Sequence, residues 1–400
     1  MRPSFWATAL PVVLAAAVSA ASPLSARQQS FTNWETPHVS PLALDAAGQR
    51  LFVCNTPDNR LEVFDVSGAA PVPLFDVPVG LDPVSVRQRT ANEVWVVNGR
   101  SDSGSVIDLT LQAGVATIDT EDEPADVVFA GTPERAFVTC AQPSLVQVFD
   151  PVALGAPVSV LTIAGEEPRA MAVSADGSEI YVAVFESGNG STILGGGLAQ
   201  AAGILALRNV VSDPLGPYGG QNPPPNSGAN FVPPMTPGNP APPPVGLIVK
   251  KDQLDRWKDD NGGDWTDLVS GPNAARSDRP VGWNVTDHDI AVIDTTTLAV
   301  TYADRLMNIN MALAVHPNTG FVTVVGTDCT NEVRFEPNLN GVFLRVRLAA
   351  VNVAGGQARL FDLNPHLDYQ TANVPPATRA LSIGAPRGIA WSAAGARAYV

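Results

Sequence analysis

The chain has 400 residues, with 24 Lys and Arg against 39 Asp and Glu, which gives a formal net charge of −15. Binding to phosphate backbones needs clustered cations, so this balance argues against nucleic acid as a partner. The three cysteines, Cys54, Cys140 and Cys329, make no disulfide framework, and we expect buried free thiols.

Residues 1–26 have the composition of a signal peptide. Arg2 supplies a short positive start, Phe5–Val18 is an apolar core, and small residues up to Ala20 or Ala26 offer a cleavage site. The alternative is a membrane anchor, but the apolar run is short for a bilayer span. We therefore expect a periplasmic or secreted protein with no membrane span after cleavage of the signal peptide.

A sequence repeat runs through the rest of the chain. Its first copy, Pro41–Asp65, contains three short segments of alternating apolar and polar residues, separated by turn residues that are typical of antiparallel hairpins. A fourth such segment precedes each of the next three copies. Further copies open at Pro83, Pro124, Pro168, Met311 and Pro386. The first four openings lie about 40 residues apart, which is the length of one four-stranded β-propeller blade.

The repeats predict an all-β fold in which residues 27–400 form a β-propeller of four-stranded antiparallel blades. About six blades are visible, and the last is incomplete at Val400, so we expect a ring truncated at residue 400 that has about seven or eight blades when complete. Two insertions interrupt the repeats. The insertion in blade four, residues 186–287, is largely a loop rich in Pro and Gly, and a second insertion spans residues 336–380 approximately.

The position of the first insertion predicts which face of the propeller it covers. In a blade whose innermost strand comes first, the loop between the second and third strands emerges on the same face as the connections between blades. The insertion starts from that loop and should therefore cover the face that carries the blade-to-blade connections. Within it, Lys250–Trp265 is predicted to form a short helix that ends near Asn261.

Charged residues recur at the connections between blades. Asp82, Glu123 and Glu167 precede the prolines that open blades two to four, and Arg169 and Arg387 follow such prolines. Together they would form a mixed-charge ring at one mouth of the central channel, where a small polar ligand or a cation could bind. The alternative is that these residues cap strand ends and pair with one another.

Two places in the first insertion carry residues that bind metal ions in other proteins. Asp259, Asn261 and Asp264 resemble half of a calcium loop, although Ser270 stands where an EF-hand has its glutamate. His288 lies between two aspartates at the point where the insertion rejoins the blade, and a neighbouring carboxylate raises the basicity of histidine. The alternatives are a solvated acidic turn and hydrogen bonds that hold the end of the loop.

The second-strand segments LFVCN (51–55), VWVVN (94–98) and IYVAV (180–184), together with turns such as SADG (174–177), resemble the YVTN-repeat propellers of exported bacterial proteins. This likeness covers residues 41–400 apart from the long insertion. It implies the propeller fold, but this architecture hosts unrelated activities and implies no single function.

A narrower likeness is carried by NWETPHVSPLAL (33–44), DHDIAVID (287–294), NEVRFE (331–336) and PHLDY (365–369). These segments resemble a group of large propeller proteins in which a c-type cytochrome segment with a CxxCH haem site follows the propeller. The resemblance implies an electron-transfer setting, with haem c in a downstream segment. The sequence contains no CxxCH motif, so no residue of this chain is assigned to haem.

The sequence contains no Gly-x-Ser-x-Gly elbow, phosphate-binding loop or HExxH motif. We therefore interpret the chain first as a non-catalytic binding and docking propeller, with a protein partner or a small polar ligand at one mouth. One alternative is a propeller enzyme, a lactonase-like hydrolase or a dehydrogenase, with its site at the mouth that the insertion covers. Another is a surface-layer or adhesion protein.

Overall fold

The computed structural model describes residues 37–188, 190–195, 210–211, 213–220, 246–252, 254–259, 262–329, 344–355, 357–368 and 374–400. The predicted signal peptide, residues 1–26, and Asn261 lie outside these residues. Regular structure in the described residues is almost entirely antiparallel β-sheet, which confirms the predicted all-β class. None of the helices in these ranges is long and apolar enough to cross a membrane.

The first three sheets each have four strands that pair in chain order. They confirm the predicted blades one to three, because each sheet corresponds to one copy of the sequence repeat. The strands are β1 (Leu42–Leu44), β2 (Arg50–Asn55), β3 (Arg60–Asp65) and β4 (Val72–Pro78), then β5 (Pro83–Thr90), β6 (Glu93–Asn98), β7 (Ser103–Asp108) and β8 (Ala113–Asp119), and then β9 (Pro124–Ala130), β10 (Arg135–Cys140), β11 (Leu145–Phe149) and β12 (Ser159–Thr162).

The fourth sheet begins with β13 (Glu166–Val173) and β14 (Glu179–Glu186), after which the long insertion starts. Glu166 pairs with Glu186 across these two strands. The insertion therefore leaves the sheet at the end where the connection from the third blade enters it. This is the face that the order of strands predicts.

The insertion contains a small folded unit of its own. Strands β15 (Ser191–Gly195), β16 (Gly246–Lys251) and β17 (Trp257–Lys258) form a three-stranded sheet, and a short α-helix (Thr266–Val269) and a 3-10 helix (Ala274–Ser277) follow. Their buried apolar side chains form a separate cluster that includes Leu194, Val249, Trp257, Trp265 and Leu268. The range 186–287, predicted to be largely loop, thus includes a packed core.

The helix predicted over Lys250–Trp265 is wrong, because β16 ends and β17 lies within this segment. The turn between the two strands is held by Asp252, whose Oδ1 accepts hydrogen bonds from the backbone N–H groups of Leu254 at 2.8 Å and Arg256 at 3.0 Å. An aspartate that bonds the backbone locally in this way favours a turn over a helix.

After the insertion, β18 (Ile290–Asp294) and β19 (Val300–Ala303) complete the fourth sheet. β14 pairs with β18 from Glu179 opposite Asp294 to Ala183 opposite Ile290, so the chain resumes the blade where it left it. The insertion is therefore accommodated without disturbing the four-stranded order.

The fifth blade consists of β20 (Ile309–Val315), β21 (Val322–Cys329), β22 (Leu344–Asn352) and β23 (Gln357–Asp362), and one pair, Glu186 with Ile309, links it to β14 of the fourth blade. β22 and β23 lie within the range 336–380 that the sequence assigns to a second insertion, but they are the third and fourth strands of this blade. A short α-helix (Pro376–Arg379) follows. Strands β24 (Ala390–Trp391) and β25 (Ala398–Tyr399) then pair where the sequence predicts the first half of blade six.

Each blade buries an apolar face against the next one. In β6, Val94 and Val96 pack against the first sheet, whereas the alternate residues Trp95 and Val97 pack against the third sheet. Similar layers join the third sheet to the fourth and the fourth to the fifth. Burial of these layers is the main source of stability in a stack of repeats. Cys54 and Cys140 lie in two different layers as buried free thiols, as predicted, whereas Cys329 is a free thiol that is only partly buried.

A polar network joins the leading segments of the first four blades. Asp126 in β9 has a fully buried side chain, and its Oδ2 accepts hydrogen bonds from Nη2 of Arg87 at 2.8 Å, from the backbone N–H of Met171 at 2.9 Å and from Oγ of Ser40 at 3.1 Å. Nη2 of Arg87 also donates to Oγ of Ser40 at 2.7 Å. These contacts hold the inner strands of neighbouring blades together.

Candidate functional site

The three predicted mouth carboxylates occupy equivalent turns. Asp82, Glu123 and Glu167 each have a left-handed backbone, with φ of 53°, 51° and 56°. The backbone N–H of Asp82 donates to Oδ1 of Asn59 at 2.9 Å, and that of Glu123 donates to Oδ1 of Asp102 at 3.2 Å. These bonds give Asp82 and Glu123 a structural role in the connections between blades.

Of the five predicted mouth residues, the structure brings Glu167 and Arg169 together. Nη2 of Arg169 donates to Oε2 of Glu167 at 2.7 Å, and the guanidinium lies 4.5 Å from the ring centroid of Phe185. Asp82 lies near Arg100 instead, with 3.4 Å between Oδ2 and Nε. Arg387 is exposed. Ligand binding at this ring stays a prediction.

Asp259 of the predicted calcium loop is a buried acceptor inside the insertion. Its Oδ1 accepts hydrogen bonds from the hydroxyl of Tyr218 at 3.0 Å and the backbone N–H of Gly263 at 2.9 Å, and its Oδ2 accepts from Nε1 of Trp265 at 2.8 Å. The carboxylate therefore holds the core of the insertion together through three donors from the protein.

Asp264 makes contacts of the same kind. Its Oδ2 lies 2.9 Å from Nζ of Lys258, and its Oδ1 accepts from the backbone N–H of Thr266 at 3.0 Å. Asn261 lies outside the described residues. Within the part of the chain that the structure describes, no group of three or more His, Cys, Asp or Glu residues is arranged to hold a metal ion.

His288 is held by two neighbours. Its Nδ1 lies 2.8 Å from Oδ1 of Asp304, and its ring stacks on Tyr302 with a centroid separation of 4.0 Å and an interplanar angle of 13°. Both contacts fix the segment that leads from the insertion into β18. These contacts match the alternative to a metal site at His288, namely hydrogen bonds that hold the end of the loop.

A polar cavity of about 320 Å³ lies where the insertion rejoins blade four. Three separate segments line it: the turn between β16 and β17, the segment before β18, and the turn after β19. The lining residues are Lys251, Asp255, Asn284, Val285, Thr286, Asp287, His288, Asp304 and Arg305. A volume of this size is at the lower end of the range for small-molecule sites.

The two cations of the pocket share one carboxylate. Nζ of Lys251 lies 2.9 Å from Oδ1 of Asp255, and Arg305 also pairs with that side chain. Lys251 Nζ donates a further hydrogen bond to Oδ1 of Asn284 at 3.0 Å. Because the side chain of Asp255 is 61% exposed, water weakens both ion pairs, and a ligand could replace this carboxylate.

Asp287 differs from the other acidic residues of the pocket. Its Oδ1 is buried and has no hydrogen-bond partner among the described contacts. A buried acceptor without a donor costs about 1–3 kcal/mol. Burial, followed by the nearby charges of Asp289 and Asp304, raises the pKa of Asp287 to about 7. The sequence pattern points to His288 in this segment, whereas the structure leaves its neighbour Asp287 unsatisfied.

Asp289 lies beneath the pocket as a fully buried hub. Its carboxylate accepts hydrogen bonds from the backbone N–H groups of Leu306 at 2.9 Å and Met307 at 3.0 Å, from Oγ of Ser187 at 3.1 Å and from Nδ2 of Asn310 at 3.0 Å. Burial outweighs these bonds and raises the pKa of Asp289 to about 6. Since Ser187 begins the insertion and Asp289 follows it, this hub ties both ends of the insertion together.

A further ion-pair cluster joins the insertion to blade five. Nζ of Lys250 in β16 lies 3.6 Å from Oδ1 of Asp328 in β21, and Nη1 of Arg347 lies 2.9 Å from Oδ2 of Asp328. Lys250 also donates to the backbone carbonyl of Cys329 at 3.3 Å. The strand that carries Lys251 into the pocket is thus anchored on blade five.

No protein-family model and no curated protein match the chain. Among solved structures, hydrazine synthase from Kuenenia stuttgartiensis is similar to it, with a TM-score of 0.52 and 15% identity over 93% of this chain and 76% of the other. At this identity the likeness concerns the fold alone. Together with the successive four-stranded antiparallel blades, it defines the chain as a β-propeller.

Two further structures align over much of the chain. A functionally unknown protein from Desulfotomaculum acetoxidans has a TM-score of 0.40 and 9% identity over 83% of this chain and 70% of its own. A protein from Bacteroides uniformis, provisionally assigned as a 6-phosphogluconolactonase, has a TM-score of 0.38 and 13% identity over 80% of this chain and 82% of its own. At these TM-scores neither likeness supports a functional conclusion.

Proposed function

We propose that the chain is an exported β-propeller binding module that holds a small polar molecule in the pocket between its insertion and blade four. The observation that carries this proposal is a polar cavity of about 320 Å³, whose lining brings Lys251, Asp304 and Arg305 together from separate segments.

The chemistry of the lining supports a polar ligand. Lys251 and Arg305 supply donors, Asp287 and Asp304 supply acceptors, and Val285 is the one aliphatic side chain in the lining. Hydrogen bonds and charge would therefore fix the orientation of the ligand, and affinity would depend on salt more than in an apolar pocket.

A pair of threonine variants tests the proposed site. Thr286 is exposed and lines the pocket, so Thr286→Trp should fill it, whereas Thr296 is exposed in the turn after β18, so Thr296→Trp serves as a matched control. Wild type and both variants would be screened by ligand-observed NMR against amino acids, sugars, polyols, small amines and dicarboxylates. We expect hits that bind wild type and Thr296→Trp but not Thr286→Trp. Equal binding by all three proteins would contradict the proposed site.

A hydrolase is the second candidate function, favoured by one observation. A carboxyl group with a pKa near 7 is suited to general acid–base catalysis at neutral pH, and Asp287 lies in a cavity beside the His288–Asp304 pair. A lactonase-like activity would be lost in Asp287→Asn and retained in Asp122→Asn, which removes an exposed charge outside the pocket. Hydrolysis of a lactone panel by purified wild type, followed by pH-stat, tests this candidate.

We also propose that the protein works in the exported, electron-transfer setting that the sequence resemblance implies. The cysteines of this chain do not fit covalent haem, because Cys54 and Cys140 are buried in different layers and no CxxCH motif is present. A haem would therefore belong to another segment or to a partner. The intact mass and visible spectrum of the product from its native host test this: a processed N-terminus and a c-type Soret band support it, and an unprocessed, colourless product contradicts it.

A further inference from the structure

Two cations of the pocket meet at one carboxylate, which belongs to the turn between β16 and β17. Nζ of Lys251, at the end of β16, lies 2.9 Å from Oδ1 of Asp255, and Nη2 of Arg305, in the turn after β19, pairs with the same oxygen. Lys251 belongs to the insertion, whereas Arg305 belongs to blade four. The fold thus defines one position in the cavity at which two positive charges bind a carboxylate oxygen.

The carboxylate of Asp255 is not needed to hold its own turn. That turn is fixed by Asp252, whose Oδ1 accepts hydrogen bonds from the backbone N–H groups of Leu254 and Arg256. The backbone N–H of Asp255 also donates to the carbonyl of Asp252 at 3.1 Å. Within the described residues, the side chain of Asp255 makes polar contacts only with the two cations of the pocket. Its carboxylate can therefore turn into water without loss of the hydrogen bonds of the turn.

Lys251 is held in the pocket by contacts that do not involve Asp255. Its side chain is 17% exposed, against 61% for that of Asp255. Nζ of Lys251 donates to Oδ1 of Asn284 at 3.0 Å and lies 5.9 Å from the ring centroid of the buried Trp257. If Asp255 turns away, its carboxylate becomes hydrated, whereas the largely buried ammonium of Lys251 still favours an anion beside it.

The other charges of the lining limit how much negative charge a ligand can bring. Asp287 and Asp304 also line the pocket, so additional negative charge is disfavoured there. A ligand with a single carboxylate would restore the one negative charge that Asp255 takes away when it turns into water. A phosphate or sulfate dianion would exceed it.

From these contacts we infer that the pocket takes a small polar monocarboxylate, whose carboxylate displaces that of Asp255 and binds Lys251 and Arg305. This inference rests on the proposed function and specifies its ligand class. Ammonium and guanidinium groups donate charge-assisted hydrogen bonds to a carboxylate, and such bonds are about twice as strong as neutral ones. Asp255 then acts as an internal competitor of the ligand, so that its removal should increase the affinity.

Glycolate and glycolamide test the inference, because they have the same number of heavy atoms and differ by a carboxylate in place of a neutral amide. Each would be titrated by NMR at pH 8 into wild type, Asp255→Asn and Arg305→Gln. Asparagine suits this position of the turn, where φ is 61°, because it tolerates the left-handed conformation. Asp122→Asn and Arg397→Gln make the same changes in charge at exposed positions outside the pocket and serve as controls. Sodium phosphate would be titrated in parallel.

We expect glycolate to bind Asp255→Asn about fivefold more tightly than it binds wild type or Asp122→Asn, because two exposed ion pairs no longer compete with it. Arg305→Gln should bind glycolate more weakly than Arg397→Gln does. Glycolamide should bind Asp255→Asn no more tightly than wild type.

Four results would overturn the carboxylate inference: no gain in the affinity of Asp255→Asn for glycolate, an equal gain for glycolamide, a larger gain for phosphate, or equal binding of glycolate by Arg305→Gln and Arg397→Gln. If sugars or polyols from the wider screen still lose binding in Thr286→Trp, the proposed site stands. Failure of every compound would overturn both.

Discussion

At the scale of single residues, the unusual feature is a pair of carboxyl groups, those of Asp287 and Asp289, whose pKa values are raised well above the usual value. Burial is the largest cause for both, and it raises the pKa of Asp287 to about 7 and that of Asp289 to about 6. In the unfolded chain both groups would titrate near 4. Between about pH 4 and pH 7 the folded protein therefore binds more protons than the unfolded chain does.

This difference sets the sign of a pH effect on stability. Stability should decrease as the pH rises from about 4.5 to 7, because the unfolded chain releases its protons first. We expect Asp287→Asn to unfold at a higher temperature than wild type at pH 8 and to show a flatter dependence over this range. Thermal unfolding followed by circular dichroism checks this, with Asp122→Asn as control. A melting temperature of Asp287→Asn below that of wild type at pH 8 would contradict the assigned burial.

Asp259 gives a second prediction at this scale. Replacement by Ala would leave the buried Nε1 of Trp265 without its acceptor and would remove the bond from the hydroxyl of Tyr218, and an unsatisfied buried donor costs about 1–3 kcal/mol. We expect a red shift of tryptophan fluorescence and faster exchange of amide hydrogens in the insertion, with Asp264→Ala as the milder control. The calcium prediction makes a different claim: calcium would raise the melting temperature of wild type but not that of a variant in which Asp259 and Asp264 are both replaced by Ala.

At the scale of elements, the insertion combines segments of two kinds. Residues 246–288 contribute strands, a helix and two buried tryptophans to one core, whereas residues 214–244 are dense in Pro, Gly and Asn. Sequence composition predicts that residues 214–244 are poor material for a core, and most of them lie outside the described residues. Sequence patterns do not predict the strands within residues 246–288. These strands are short and are interrupted by the turn at Asp252, so their periodicity is too weak to distinguish them from a helix.

Limited proteolysis should distinguish the two kinds of segment. We expect the first cuts between Gly188 and Pro244, giving two fragments that stay associated because β14 pairs with β18 and β15 pairs with β16. Arg208 is the only Lys or Arg in that range, so a protease of broad specificity is needed rather than trypsin. Early cuts within 41–167, mapped by mass spectrometry, would contradict the assignment of the blades.

At the scale of the whole molecule, the repeats carry far more information than the site does. The repeats recur in the sequence with similar alternation and turns, so the openings along the chain predict blades one to three and the first strands of the later blades, whereas β22, β23 and the sheet of the insertion fall in segments that the sequence assigns to insertions. The pocket has no such signal, because Asp255, Asp287 and Arg305 come from three segments joined only by the fold. The sequence pointed to the right segment through His288, but which side chain lacks a partner depends on three-dimensional contacts.

The Arg87–Asp126 network gives a prediction at this scale. Asp126→Ala would leave a guanidinium among the inner strands without its carboxylate, and the loss of one partner from a buried pair costs about 3–5 kcal/mol. We expect the lower end of that range, since the side chain of Arg87 is 31% exposed. Urea unfolding measures the change, and Asp150→Ala is the control, with an expected effect below about 1 kcal/mol. A change that small in Asp126→Ala would contradict a structural role for the network.

The most direct test of the central proposal is a crystal structure of the protein soaked at pH 8 with the tightest-binding compound from the ligand screen. We expect electron density in the pocket between the insertion and blade four, with polar groups of the ligand at hydrogen-bond distance from lining side chains such as Lys251, Asp304 or Arg305. Density instead at the mouth near Glu167 and Arg169, with the pocket empty, would contradict the proposal and would favour the charged ring as the binding site.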